Sequence, residues 1–161
     1  MGPNAFPPCC APNARVLILG SYPSPLSFES GFYYGHPRNR FWPLMARLMG
    51  RETPVTVPEK RLFLRESGLG LWDVLQNCDI KGASDASIRN PIYQPVELLV
   101  ARSNIQAVFF NGTQAHRLFL RRGISLSVPS FRMPSTSPAN AAFSMERLEK
   151  EWSTLLIFLK E

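Results

Sequence analysis

Val16-Leu17-Ile18-Leu19-Gly20 is a run of four aliphatic residues closed by a glycine. A strand with one wet face alternates apolar and polar residues, so an unbroken apolar run of this length reads as a strand covered on both faces, as in a parallel sheet between helices. Ala107-Val108-Phe109-Phe110 repeats the signature and ends in Asn111-Gly112. Between the two runs, apolar residues return at helical spacing over 41–49, with Pro43 in the first turn and Gly50 as a stop. The pattern predicts further helices over 59–67, 96–102 and 113–122, the last stopped by Gly123, and a long one over 144–159. Residues 69–75 form a short apolar piece, and the alternation of Ile124, Leu126 and Val128 predicts a third strand over 124–128. Strands and helices alternate, which gives an α/β domain with a mainly parallel sheet.

The rest of the chain bounds this domain. Residues 1–14 are rich in proline and small residues and read as a tail, leaving a single domain over 15–161. With 161 residues, 45% of them hydrophobic and 11% aromatic, the chain has enough core material to exclude intrinsic disorder. No apolar run reaches the ~18 residues a membrane span needs, and residues 1–12 lack the charged-then-apolar pattern of a signal peptide. Three cysteines (Cys9, Cys10, Cys78) imply no disulfide framework, and the two histidines (His36, His116) are not spaced near a cysteine pair as zinc ligands would be. These features together point to a cytoplasmic protein without a metal.

Charge is unevenly placed. The net charge is +6, yet between Glu97 and Glu146 there is no carboxylate, while Arg102, Arg117, Arg121, Arg122 and Arg132 all fall in that stretch. The first 28 residues also lack an acid, and Arg38, Arg40 and Arg47 follow soon after. A surface built from these segments is electropositive and rich in arginine, which suits bidentate contact with the phosphates of a polyanion.

Ligands of such sheets sit beyond the carboxyl ends of the strands. That rule singles out 20–39 after the first strand, Asn111-Gly112 after the second, and 134–140 after the last. Residues 21–40 hold Tyr22, Phe28, Phe32, Tyr33 and Tyr34 together with three prolines and four serines, a long irregular loop of the kind that carries function. The sequence has neither a phosphate-loop lysine after a glycine run nor G-x-G-x-x-G, which argues against a nucleotide-binding fold. The absence of G-x-S-x-G argues against a serine hydrolase.

Four blocks remain: Gly20-Ser21-Tyr22-Pro23-Ser24; Tyr34-Gly35-His36-Pro37-Arg38-Asn39-Arg40-Phe41-Trp42-Pro43; Phe110-Asn111-Gly112; and Met133-Pro134-Ser135-Thr136-Ser137-Pro138-Ala139-Asn140. In order and spacing they resemble the uracil-DNA glycosylase superfamily, closest to its hypoxanthine-DNA and mismatch-specific branches. The resemblance spans 16–141. It implies a three-layer α/β/α sandwich around a central, mainly parallel, four-stranded sheet. It also implies a monofunctional DNA glycosylase that removes deaminated bases, hypoxanthine first and uracil second, from DNA in base excision repair. Such an enzyme needs no metal or organic cofactor and works as a monomer on DNA containing a damaged base. The competing reading is a catalytically weak nucleic-acid-binding module of the same fold.

Cleaving an N-glycosidic bond builds positive charge on the sugar and negative charge on the departing base. The enzyme must place a water near C1′ and donate hydrogen bonds to that base after flipping the nucleotide out of the stack. The resemblance assigns the water to Asn39, acting through its carbonyl oxygen, because Tyr22 stands where many relatives carry an acid or amide. The structural alternative for Asn39 is a helix N-cap. Tyr34 falls where relatives stack on the flipped base, with core packing as its alternative. Asn111 falls where they read the base edge, with a turn role as its alternative. Gly20, Ser21, Tyr22 and Ser135 complete the substrate contacts, Ser135 replacing the histidine that some relatives set against the base anion. Ser24, Arg38, Ser137 and Asn140 are the expected phosphate contacts, Ser21 and Ser135 sharing that role. Ala139 stands where relatives carry a wedge, and Asn140 or Arg132 could substitute for it. His36 is a minor candidate. Asp73 and Asp85 are possible hidden bases, but acids in such positions more often cap or pair locally.

Overall fold

The computed structural model describes residues 1–80 and 88–160. The aliphatic run forms β1 (Val16–Gly20), every residue of it buried, at the centre of a sheet. On one side β1 pairs with β2 (Leu69–Asp73), bringing Gly20 opposite Asp73; on the other it pairs with β5 (Ala107–Asn111). A short edge strand, β6 (Ser130–Met133), completes the order β2-β1-β5-β6, and all three pairings are parallel.

Alternation along β1 divides the core. Val16 and Ile18 face a cluster with Phe109, closed by α2 (Phe41–Met49), α3 (Val57–Ser67) and α6 (Met145–Trp152). Leu17 and Leu19 face the opposite cluster with Val108 and Phe110, closed by α4 (Val96–Ala101) and α5 (Thr113–Leu120). The architecture is therefore the expected three-layer sandwich, since a strand buried on both faces needs a helix layer on each.

Several local expectations need correction. The third strand lies at 130–133, not 124–128: Leu126 and Val128 pack on the second cluster, but the chain pairs with β5 only after Pro129. The long final helix is broken into α6, a 3₁₀ turn over Ser153–Leu155 and α7 (Leu156–Leu159). The loop after β1 holds a short helix, α1 (Pro25–Ser30), whose N-cap is Ser24. An antiparallel hairpin of β3 (Leu75–Ile80) and β4 (Ile88–Tyr93), absent from the sequence reading, leaves the sheet after β2.

The proline-rich N-terminal segment does not hang free as a tail. Cys9 exchanges two backbone hydrogen bonds of 2.9 Å with Leu71, and Ala5 N–H donates to Gln76. The segment thus occupies the exposed edge of β2, which would otherwise offer unpaired backbone groups to another chain. Among the described residues no helix is long and apolar enough to cross a membrane.

Candidate active site

The carboxyl ends of the four parallel strands open into a cleft of about 1290 Å³ lined by Gly20, Ser21, Tyr22, Tyr34, Asn39, Asp73, Asn111, Ser135 and Asn140, among others. Segments separated by more than a hundred residues meet there because β1, β5 and β6 are parallel and end on the same side.

Three side chains join the loops. Asn39 Oδ1 accepts from the backbone N–H of Phe41 at 3.0 Å and from the Thr136 hydroxyl at 2.8 Å. Thr136, completely buried, receives Asn111 Nδ2 on the same hydroxyl at 3.0 Å, and its N–H donates to Asn111 Oδ1 at 3.0 Å. The structure therefore gives Asn39 a cap-like contact at the start of α2, with Arg40 as the formal cap residue, and a place in the site as well. It also fills the carbonyl oxygen expected to hold a water, since both lone pairs already have donors. Nothing among the described residues bonds to Asn39 Nδ2, which is left for a ligand.

Arg40 fastens the third block to the second. Its guanidinium donates to the carbonyls of Phe143, Ser137 (3.3 Å) and Asn140 (2.9 Å), and its N–H donates to Thr136 O at 3.0 Å. The serines of this loop are occupied locally: Ser135 Oγ accepts from Ser137 N–H at 3.1 Å, and Ser137 Oγ from Ala139 N–H at 3.2 Å. Asn140 Nδ2 braces Ser135 O at 3.0 Å, so it holds the loop's shape instead of filling a wedge. At the first block Ser24 caps α1, while the Tyr22 ring packs 5.5 Å from Phe28 and its hydroxyl donates to Pro3 O. His36 Nδ1 accepts from Arg38 N–H at 3.0 Å, a structural role that leaves the Arg38 side chain on the exposed surface. Arg117 and Arg132 line the cleft, and neither forms an ion pair among the described residues.

Tyr34 lies against Phe41, ring centroids 4.2 Å apart and near parallel, with its backbone in the left-handed region at φ 54°. Its hydroxyl is buried and closes no hydrogen bond of standard geometry among the described residues; burial pushes its pKa upward, and the neighbouring Asn111 side chain acts in the opposite sense. Asp73 contradicts the expectation of a local cap or ion pair. It is 4% exposed, its Oδ2 has no partner among the described residues, and burial raises its pKa to about 7. Both groups converge on Gly20, where a Cβ would stand 2.6 Å from Asp73 Oδ1 and 3.3 Å from Tyr34 Oη. Only glycine leaves that space open. Gly112, at φ 101° with Ser135 Cβ 3.2 Å from where its own Cβ would be, is likewise required. Asp85 lies outside the described residues.

The chain matches the family described as the uracil DNA glycosylase superfamily over residues 7–157. It belongs to that superfamily. A hypoxanthine DNA glycosylase of Methanosarcina acetivorans is 33% identical over 157 residues, covering 94% of this chain and 96% of the relative. A second protein of that name, from Methanosarcina barkeri, is 33% identical over 71% of this chain and 74% of its own length. The solution NMR structure of a uracil DNA glycosylase candidate from Methanosarcina acetivorans superposes with a TM-score of 0.83 at 31% identity, covering 98% of each chain. The chain is accordingly a DNA glycosylase, and the binding-module alternative is not favoured.

Sequence reading missed Thr136 and Arg40 as organisers of this glycosylase site. Thr136 sits between two serines that resemble it chemically, and its loop is bound to Arg40, 96 positions earlier in the chain, through the carbonyls of Thr136, Ser137 and Asn140. A lone arginine preceding a helix carries no such signal in the sequence.

Proposed function

We propose that this glycosylase removes hypoxanthine from DNA, uracil being the second choice, by adding water to C1′ without a lyase step. The observation that carries the reading is the Asn39–Thr136–Asn111 junction, which sets two amides at fixed positions in one cleft. Hypoxanthine is favoured over uracil by the name shared by two relatives at 33% identity.

Arg38, Arg117 and Arg132 meet the phosphates of damaged DNA, and the extruded base enters the cleft beside Tyr34. Gly20 and Gly112 keep the backbone low enough to admit it, and Ser21, Tyr22 and Ser135 border it. Ser24, Ser137 and Asn140 shape the loops whose backbone faces the phosphates. Asn111, tied through both ends of its amide to Thr136, presents a rigid edge to the base. As the C1′–N9 bond of deoxyinosine lengthens, its electron pair leaves with the base and the sugar becomes oxocarbenium-like. Asn39 Nδ2 donates to the oxygen of a water and so places it at C1′. That water forms the new C–O bond and releases a proton to solvent, the departing base anion takes a proton from solvent, and hypoxanthine and an abasic site result. Placement suffices for so electrophilic a sugar, which is why an amide serves where other chemistry requires a strong base. The enzyme acts as a cytoplasmic monomer without metal or cofactor.

Duplexes carrying one inosine, uracil, xanthine or G·T mismatch, incubated with the protein and then treated with alkali, test the reading. Alkali-dependent cleavage should be fastest at inosine. Binding without abasic sites on any substrate would establish a binding module, and nicking without alkali would establish a lyase.

A further inference from the structure

We propose that Ile80, on the hairpin side of the cleft, enters the gap that an extruded nucleotide leaves in the duplex and packs against the base stack there. The inference deepens the reading of a glycosylase that takes a nucleotide out of DNA, and it rests on that reading.

The cleft has a floor, at Gly20 and Asp73, and two rims. One rim follows β6 and carries Ser135 and Ala139; the other is the β3–β4 hairpin, which contributes Ile80 and Ile88. Because β2 and β6 are the two edges of the sheet, these rims stand across the cleft from each other. Ile80 is 47% exposed, and of the large exposed apolar side chains among the described residues it alone lines the cleft. Single exposed hydrophobics are ordinary on a protein surface, and Ile92 on the same hairpin and Leu98 on α4 are of that kind. Ile80 differs from them in how it is held and in what it faces.

Its support comes from the strand pairing. β3 starts in the core at Leu75, keeps Asn77 and Cys78 buried, and emerges at Ile80. The register against β4 shifts on both sides of Asn77, and irregularities of this kind bend a strand and re-aim its side chains. Beyond them Ile80 lies directly opposite Ile88, which packs on the same core cluster as Tyr22. Two β-branched side chains paired across the strands have little rotamer freedom. The rim therefore presents a stiff apolar knob backed by the core.

Charge settles what this knob meets. Arg117 and Arg132 line the same cleft without acidic partners among the described residues, so a polyanion is drawn across its mouth. Taking a nucleotide out of a duplex strips its neighbours of their stacking and leaves a hole bounded by two base faces. An apolar side chain in that hole offsets the loss, and isoleucine is among the residues that proteins insert between bases. On the facing rim Ala139 offers only a methyl group, and Asn140 is engaged with Ser135 O. The large apolar group that the hole requires stands on the hairpin. Ile80 takes no part in breaking the glycosidic bond; it holds the stack open while the nucleotide occupies the cleft.

Ile80→Ala, Ile80→Leu and, as a control on the same hairpin, Ile92→Ala test this. Such a side chain matters only where a stack must be opened. Single-turnover excision of hypoxanthine by Ile80→Ala should therefore fall about tenfold when inosine is paired with cytosine, and stay within about twofold of wild type when inosine lies in a bubble of unpaired bases. Ile80→Leu and Ile92→Ala should match wild type on both substrates. A duplex with a tetrahydrofuran abasic analogue presents the hole without a base, and its affinity for Ile80→Ala should also fall about tenfold while that of undamaged duplex is unchanged. Ile80→Ala at the wild-type rate on the paired duplex overturns the proposal, as does an equal loss on the paired and unpaired substrates. A loss of affinity that is equal for abasic and undamaged duplexes overturns it too. Ile92→Ala losing as much as Ile80→Ala does the same, because the folding of the hairpin would then be at stake and not the side chain. Wild-type protein that leaves inosine intact in both substrates would instead sink the functional reading, and the abasic-duplex affinities would still decide the role of Ile80.

Discussion

At the Asn39–Thr136–Asn111 junction the polar atoms hold one another, whereas a few residues away Asp73 Oδ2 and the Tyr34 hydroxyl are buried without a hydrogen-bond partner of standard geometry among the described residues. Two of the junction's three residues, Asn39 and Thr136, come from loops, which have no ladder to fix them, and their hydrogen bonds tie those loops to each other and to Asn111 at the end of β5. Asp73 and Gly20 are the last residues of β2 and β1, already fixed by the sheet, so the carboxyl keeps its place without a partner, while Tyr34, from the loop before α2, is held by its stacking on Phe41. Satisfied groups determine shape, and unsatisfied groups on a rigid frame are held ready for a ligand at a cost in stability.

That cost gives the largest expected effect. Asp73 has its folded pKa raised from 3.8 to about 7, so between those values the unfolded chain releases a proton that the native protein retains. Stability therefore falls as pH rises through this window and levels off above it. At 1.36 kcal/mol per unit the full loss is on the order of 4 kcal/mol. Asp73→Asn does not titrate, so its stability relative to wild type should improve by up to that amount between pH 4 and pH 8 in urea melts. A difference that stays constant with pH would mean that the floor carries no such penalty.

Asn39→Ala attacks the other region. It removes the acceptor for Phe41 N–H and for the Thr136 hydroxyl, with a cost to folding of about 1 kcal/mol, as for a lost cap. If Asn39 places the water, the single-turnover rate should fall a hundredfold or more. Asn39→Asp keeps the acceptor, so it should melt near wild type while its rate becomes newly dependent on pH. A variant Asn39→Ala that melts lower but excises inosine at the wild-type rate would reduce Asn39 to a structural residue.

The two regions also differ in how far the sequence discloses them. The sheet is legible at β1 and β5 because burial on both faces leaves an unbroken apolar run. It is illegible at β6, an edge strand whose Ser130 and Arg132 are exposed. The blocks that build the junction are legible as a family resemblance, and Asn39 and Asn111 stand out within them. Asp73 is visible as a residue but not as a site. Its isolation follows from the register that sets it opposite Gly20, and no local pattern encodes a missing partner. Thr136 fails for the converse reason, since its partners lie 97 and 25 residues away.

Thr136→Val tests how much of the junction is its hydrogen bonding. Valine keeps the shape but leaves Asn39 Oδ1 with one donor and Asn111 Nδ2 with none. An unpaired buried group costs about 1–3 kcal/mol, which calorimetry should detect as a lower melting temperature. The rate should drop about tenfold, less than for Asn39→Ala because the amides remain. An undisturbed rate would show that the sheet and Arg40 position the loops without Thr136.

The smallest effect lies at the mouth, outside both regions. Arg117 and Arg132 line the cleft without acidic partners among the described residues, in a stretch where no carboxylate occurs from 98 to 145. If each meets one phosphate, wild-type affinity for duplex DNA should fall steeply with salt, and each Arg→Ala variant should reduce the log–log slope by about 0.9. The contact carries no base information, so the loss should be the same for inosine and undamaged duplexes. Excision at saturating protein should then be unaltered, because neither guanidinium touches the base. Should Arg132→Ala weaken inosine duplexes alone, that arginine reaches past the phosphates to the space vacated by the base, the wedge position that Ala139 is too small to fill.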